Sequence, residues 1–103
     1  MMLFLPFLAA AALNTGDDLL AACVGDGPNK IACTAMVMGV VNGAMLASQD
    51  VHQKVLCLLP GLTPQVLTEA VRKYLDAHPE TRSKSAPLLT YRALKEALPC
   101  PQG

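Results

Sequence analysis

Apolar residues recur at helical spacing in the second half of the chain, most clearly between Thr63 and His78. The apolar positions of this stretch are Val66, Leu67, Ala70, Val71, Tyr74 and Leu75. Thr63 is a good N-terminal cap, Pro64 suits a first helical turn, and Pro79 disfavours helical geometry in the residue before it. The pattern predicts an amphipathic helix that starts after Thr63 and ends near His78.

Two shorter helices are predicted near the two ends of the chain. The later one runs from about Ala86 to Leu98, with its charged residues largely on one side. The earlier one starts in the stretch TGDDLLAAC, where Asp17 and Asp18 suit a helix N-terminus by capping and by charge, and it stops by Gly25. Because it has only about two turns, it needs a tertiary anchor to be stable.

A long helix is predicted from Asn29, a plausible cap, to about Gln49, and it has no charged residue after Lys30. Small side chains recur in it every four residues: Ala35, Gly39, Gly43 and Ala47. We expect a central helix buried on most sides, whose ridge of small residues lets another backbone approach closely, so that leucine at position 39 or 43 destabilises the fold. The alternative is a membrane span, for which the stretch is short and Asn42 near its middle is unfavourable.

Two polar connectors are the predicted binding segments, since connectors commonly display binding groups. SQDVHQK, residues 48–54, opens a segment that is expected to be mostly irregular as far as Leu62, and HPETRSKS, residues 78–85, joins the last two helices. Asp50 and His52 in the first segment, and Glu80 and Arg82 in the second, are the candidate partner-binding residues. The alternative is that both segments are ordinary solvated connectors with no role in binding.

The composition favours a single all-α domain, a small disulfide-bonded bundle of about four helices. With 103 residues, 52% apolar residues and only 4% aromatic ones, the chain has one core, and that core is aliphatic. Sheet sandwiches contain more β-branched and aromatic residues than this. The net charge is zero and 16% of residues are charged, which excludes the basic face of a nucleic-acid binder.

The first twelve residues, MMLFLPFLAAAA, predict a secretory signal peptide. An apolar run ends in small residues, and Ala10 and Ala12 fit the two small positions of a cleavage site. The mature domain would then be residues 13–103, exported to the periplasm. No lysine or arginine precedes the run, so a short apolar helix of a cytosolic protein is the alternative.

Four cysteines in a small exported chain predict two disulfides, and four thiols allow three pairings. We favour Cys23 with Cys33, because the turn VGDGPNKIA between them can fold one helix end back on the next helix start, and Cys57 with Cys100. The second bond would fasten the chain beyond Pro99, where the last helix has ended. By loop-closure entropy the two bonds contribute roughly 3 and 4 kcal/mol.

The sequence gives little sign of catalysis or of a cofactor, and we predict a binding protein that is not an enzyme. Cys57 and His52 resemble a nucleophile and its base, but two disulfides would consume every thiol. A zinc site built from Cys23, Cys33, His52 and Cys57 lacks the short paired spacings of structural zinc. No glycine-rich phosphate loop is present either.

The stretch from Cys57 to Cys100 resembles the Tai (Rap) family of periplasmic immunity proteins, which protect bacteria from type VI secretion amidase toxins. The similarity lies in a Cys-Leu-Pro pattern near Cys57, a threonine-capped helix that ends in KYLDAHPE, and a final helix that closes on ALPC. The N-terminal half, with LLAAC before Cys23 and CTAMVMGVVNG from Cys33, is similar too. The resemblance covers nearly the whole mature chain.

The resemblance implies an all-helical, disulfide-bonded periplasmic domain, often dimeric, that binds a peptidoglycan amidase and occludes its cleft. It therefore implies a protein partner, with no stable membrane span and no nucleic acid. Two departures bear on partner specificity: TAMVMG lacks a bulky aromatic after the second cysteine, and Asn42 replaces an expected acidic residue. An exported helical domain with a non-toxin partner, or with a structural role in the envelope, is the alternative.

Overall fold

The computed structural model describes residues 13–51, 54 and 56–101, and all its regular elements are helical. In chain order these are α1 (Gly16–Cys23), α2 (Pro28–Val51), α3 (Pro64–Ala77), a short 3₁₀ helix (Pro79–Thr81) and α4 (Ala86–Ala97). The small all-α fold with two disulfides is confirmed. The predicted signal peptide, residues 1–12, and His52 lie outside the described residues.

Local sequence determines where three of these helices begin. Thr15 and Asp18 form a capping box at the start of α1, in which each side chain accepts a hydrogen bond from the other residue's backbone N–H. The Thr63 and Ser85 hydroxyls accept from the third N–H group beyond them, and each is followed by a helix with proline in its first turn. The predicted caps at Thr63 and near Asp17 and Asp18 are confirmed.

The core is aliphatic and lies where the four α-helices meet. Its largest fully buried side chains are Leu19 from α1, Val37 from α2, Val71 and Leu75 from α3, and Leu89 and Leu94 from α4. Thr90 is buried among them and donates its hydroxyl to the carbonyl oxygen of Ala86 at 2.8 Å, which satisfies the polar group. α1 is thus held by packing, although it is only eight residues long.

The start of α1 is also joined to the connector before α4 by backbone hydrogen bonds. The N–H groups of Gly16 and Asp17 donate to the carbonyl oxygens of Lys84 and Arg82 at 2.9 and 3.0 Å. The Ala86 N–H donates back to the Asn14 carbonyl oxygen at 2.9 Å. These hydrogen bonds join the beginning of the described chain to its last third.

The prediction that α2 is buried on most sides is wrong. Only Cys33, Val37 and Val41 are buried, on one face of the helix. The ridge of small residues lies on the exposed side, and a Cβ added at Gly39 or Gly43 would meet no atom within 4 Å. The predicted close approach of another backbone is therefore not made within this chain. Apolar residues lie all around this helix, so the sequence does not indicate which face packs against the core.

The two disulfides join the cysteines that the sequence analysis paired. Cys23 and Cys33 bridge the end of α1 and the first turns of α2, and both are buried. Cys57 and Cys100 bridge the segment before α3 and the segment after α4. The Cys57 N–H also donates to the Leu98 carbonyl oxygen at 3.3 Å. The tail beyond Pro99 is thereby anchored beside the start of α3, as predicted.

Candidate interaction surfaces

Asp50, the first partner-binding candidate, lies on the last turn of α2 and is exposed. Asp50 was predicted to lie on an irregular segment, but α2 continues through Ser48 to Val51. Nothing in SQDV stops a helix, since it contains neither glycine nor proline. Asp50 is therefore displayed on a helix end, which fixes its backbone more firmly than a loop would.

A tight turn follows the Cys57 position and presents apolar groups to solvent. Leu58 and Leu59 are 43% and 64% exposed, and the turn is made at Pro60 and Gly61. Gly61 has a φ of +86°, a conformation that favours glycine. Leu56 before the turn is buried. We call residues 57–62 the leucine turn; from the sequence they were expected only to belong to a mostly irregular segment.

Arg82, in the second candidate segment, is engaged in holding the fold. Its Nη1 donates to the Leu75 carbonyl oxygen at 3.0 Å, and its Nε lies 3.3 Å from Asp17 Oδ1. The contact between Nε and Asp17 is an ion pair but not a hydrogen bond. The Nε atom is buried and has no hydrogen-bond partner among the described residues. Glu80, two residues earlier on the 3₁₀ helix, is exposed.

The two candidate segments lie at opposite ends of α3. The leucine turn leads into its first residue and the 78–85 connector leaves its last. A helix of 14 residues is about 21 Å long, so the segments cannot form one compact site within one copy of the chain. Asp50 and the leucine turn are close in sequence, whereas Glu80 and Arg82 follow the far end of α3.

Two ion pairs, both made by Arg72, lie on the exposed side of α3. Arg72 donates from Nε to Glu69 at 3.1 Å and from Nη1 to Asp76 at 2.6 Å. The hydrogen bond from Arg72 lowers the pKa of the Glu69 carboxyl below its usual value, and Glu69 in turn raises the pKa of the Arg72 guanidinium. Since all three groups are solvated, these contacts support helix α3 rather than a reactive site.

A shallow groove of about 350 Å³ lies between α3 and α4. It is lined by Lys73, Tyr74 and Glu96 together with four alanines from the two helices. Small side chains leave the groove open, and opposite charges line it. The groove was not predicted from the sequence, because alanines on two separate helices do not indicate a groove unless the pairing of the helices is known.

The outward face of α2 is uncharged, because no charged residue lies between Lys30 and Asp50. It carries the exposed side chains of Ile31 and Leu46 as well as the ridge of small residues. Within the described residues α2 is also the one helix long and apolar enough to cross a membrane by length and composition. Three of its residues contribute to the protein core, and a core helix meets the same criterion.

Side chains that could hold a metal ion do not gather in the described part of the chain. No group of three or more histidine, cysteine, aspartate or glutamate residues is found in residues 13–51, 54 and 56–101. All four cysteines are in disulfides, so none is available as a ligand or a nucleophile. The arrangement offers surfaces for binding another protein.

These features define a small, disulfide-bonded helical domain with exposed apolar and charged groups at its ends. Residues 15–100 match the sequence pattern of the Rap1a immunity proteins. Because the match spans most of the chain, this protein belongs to the Rap1a immunity protein family, which indicates a toxin-immunity role with a toxin as protein partner. Comparison with curated proteins and with solved structures gives no match.

Proposed function

We propose that this protein binds and inhibits a type VI secretion peptidoglycan amidase toxin in the periplasm. Family membership carries the proposal, because an immunity protein acts by binding its toxin. The two disulfides support an exported protein, since disulfides persist in oxidising compartments. Residues 1–12 act as the signal peptide in this account, and residues 13–103 form the exported domain.

Inhibition is proposed to occur by occlusion of the amidase cleft by one end of the bundle. The end near Asp50 and the leucine turn is the better candidate, because a disulfide fastens it and it presents exposed groups. A segment already ordered in the free protein loses little entropy on binding. His52, two residues after Asp50 in the sequence, stays a candidate contact. The other end has Glu80 exposed, but Arg82 there is engaged with Leu75 and Asp17.

A second copy of the chain is the proposed occupant of the outward face of α2. An antiparallel pair of α2 helices with Gly39 facing Gly43 would also place Ala35 of one copy opposite Ala47 of the other, so that small side chains let the two helices approach closely. It would also place Asp50, which sits unfavourably near the C-terminus of its own helix, close to the N-terminus of the other.

Coexpression of the chain with the amidase encoded by a neighbouring gene tests the proposed function. We expect the exported chain to protect cells in which that amidase is directed to the periplasm, and the purified chain to inhibit peptidoglycan cleavage. The alternative is an exported helical domain with a non-toxin partner or a structural role in the envelope. It predicts neither protection nor a complex with the amidase.

A further inference from the structure

The leucine turn stands out from the aliphatic core because it displays two adjacent leucines to water. Leu59 is 64% exposed and Leu58 is 43% exposed, although both lie in a segment with fixed ends. Exposed leucines that occur singly are ordinary, but two neighbours on one rigid turn form a small apolar projection.

Four contacts hold the turn in place. Leu56 is buried just before it, and Leu62 packs against the core just after it. The Cys57–Cys100 disulfide and the hydrogen bond from the Cys57 N–H to the Leu98 carbonyl oxygen fasten its first residue to the end of α4. Gly61, at φ +86°, permits the tight reversal that leaves Leu58 and Leu59 on the outside.

We propose that Leu58 and Leu59 are the apolar anchor of the toxin interface and insert into an apolar pocket on the amidase. The inference rests on the proposed function and adds the chemistry of the contact, since the sequence pointed only to polar groups. The centre of a protein interface is depleted in charge, and a few buried apolar residues there carry much of the affinity. A turn that projects two apolar side chains suits a concave pocket on the partner.

The order already present in the turn makes it suited to this task. A flexible loop would lose conformational freedom on insertion, whereas this turn is fixed before it meets its partner. Its exposed leucine surface leaves water on binding, which is the main favourable contribution in most protein associations. The 78–85 connector offers no comparable apolar group, because residues 78–85 are all polar apart from Pro79.

The test compares glutamine substitutions in the purified chain against the amidase encoded by the neighbouring gene. Leu58→Gln and Leu59→Gln are the test variants, and Leu88→Gln is the matched control, since Leu88 is 39% exposed in the first turn of α4 and lies in neither proposed interface. We expect each turn variant to weaken inhibition of peptidoglycan cleavage by roughly tenfold or more, with the double variant weaker still. The control should inhibit like the unmodified chain, and the melting temperatures of the two turn variants should not fall.

The outcomes separate this inference from the proposed function. If the unmodified chain inhibits and both turn variants inhibit equally well, the toxin contact is elsewhere and the inference is overturned while the proposed function stands. If the turn variants lose binding to phospholipid vesicles but keep inhibition, the turn contacts a membrane and the inference is again overturned. If the unmodified chain does not inhibit the amidase, the proposed function itself fails.

Discussion

The guanidinium of Arg82 donates to the carbonyl oxygen of Leu75 at 3.0 Å and so joins the connector before α4 to the last turn of α3. Leu75 is fully buried, and its carbonyl oxygen lies near the end of α3, where it also accepts a hydrogen bond from the His78 N–H at 3.3 Å. The same guanidinium lies beside Asp17 of α1. Arg82 therefore links three helical segments with one side chain.

Replacement of Arg82 by alanine should reduce the free energy of unfolding by about 1–3 kcal/mol, the range for hydrogen bonds to charged groups. Glu80→Ala is the matched control, because Glu80 is an exposed neighbour on the same connector, and its stability should stay within about 0.5 kcal/mol. Urea unfolding of both variants measures the difference. Equal stabilities would show that the Arg82 contacts contribute nothing to the fold, and would make Arg82 available as a binding residue.

Two classes of glycine should respond in opposite ways to a larger side chain. A Cβ on Gly16 would collide with the side chain of Leu89 and lie 3.0 Å from the Arg82 Cα, so Gly16→Ala should destabilise the fold by about 1–3 kcal/mol. Gly39 has open space, so Gly39→Ala should stabilise α2 by up to about 1 kcal/mol. Thermal unfolding at low protein concentration measures the stability of each variant against that of the unmodified chain. A loss of stability in Gly39→Ala would mean that this face is covered even in dilute protein.

The same open face gives a test of self-association. Gly43→Leu should leave the single chain as stable as before but separate the proposed pair of α2 helices, because a large side chain prevents the helices from approaching closely. Sedimentation equilibrium should then show a monomer where the unmodified chain has twice the monomer mass. Ala97→Leu, on the exposed side of α4, is the control and should keep the double mass. An unmodified chain that is monomeric at about 100 μM would remove the proposed dimer.

Loss of the Cys57–Cys100 bond should cost more stability than loss of Cys23–Cys33, because it closes the longer loop. The sequence separations are 43 and 10 residues. Loop-closure entropy gives about 4 and 3 kcal/mol for the two bonds. Paired cysteine-to-serine variants, followed by denaturant unfolding, compare them. Mass spectrometry of the unreduced protein should find these two pairings, and a crossed pairing such as Cys23 with Cys57 would contradict the described fold.

The Glu69–Arg72 pair should give the stability of the fold a weak acid dependence. The pKa of Glu69 is lowered in the folded chain, so its stabilising contribution is present above the usual value of 4.5 and is lost as the pH falls through the lowered pKa. Glu69→Gln should therefore reduce the slope of melting temperature against pH below 4.5. The effect should shrink in high salt because the pair is exposed. An unchanged slope would show that the ion pair contributes nothing in solution.

The sequence predicted those parts of the fold that depend on local chemistry. Thr63, Pro64 and Pro79 specify the limits of α3 through capping and backbone restriction, and they act in the same way whatever the rest of the chain does. The turn between Cys23 and Cys33 similarly made their pairing predictable. Such signals need no knowledge of which helices become neighbours.

Features that depend on tertiary pairing were not predictable from the sequence. The exposed face of α2 was predicted to be covered, because Gly39 and Gly43 look the same whether a helix packs on them or not. The contacts of Arg82 with Leu75 and Asp17 were not predicted, since nothing near it in sequence shows that these residues come within reach. The exposure of Leu58 and Leu59 likewise follows from how the disulfide holds the turn.

Inhibition of a purified amidase tests the central claim most directly. The amidase should be the one encoded by a neighbouring gene, and the measured quantity is its rate of peptidoglycan cleavage as the exported chain is added. We predict that cleavage stops when the chain reaches about one equivalent of the amidase and that the two proteins form a stable complex. An unchanged cleavage rate at a large excess of correctly disulfide-bonded chain, with no complex formed, would contradict the claim.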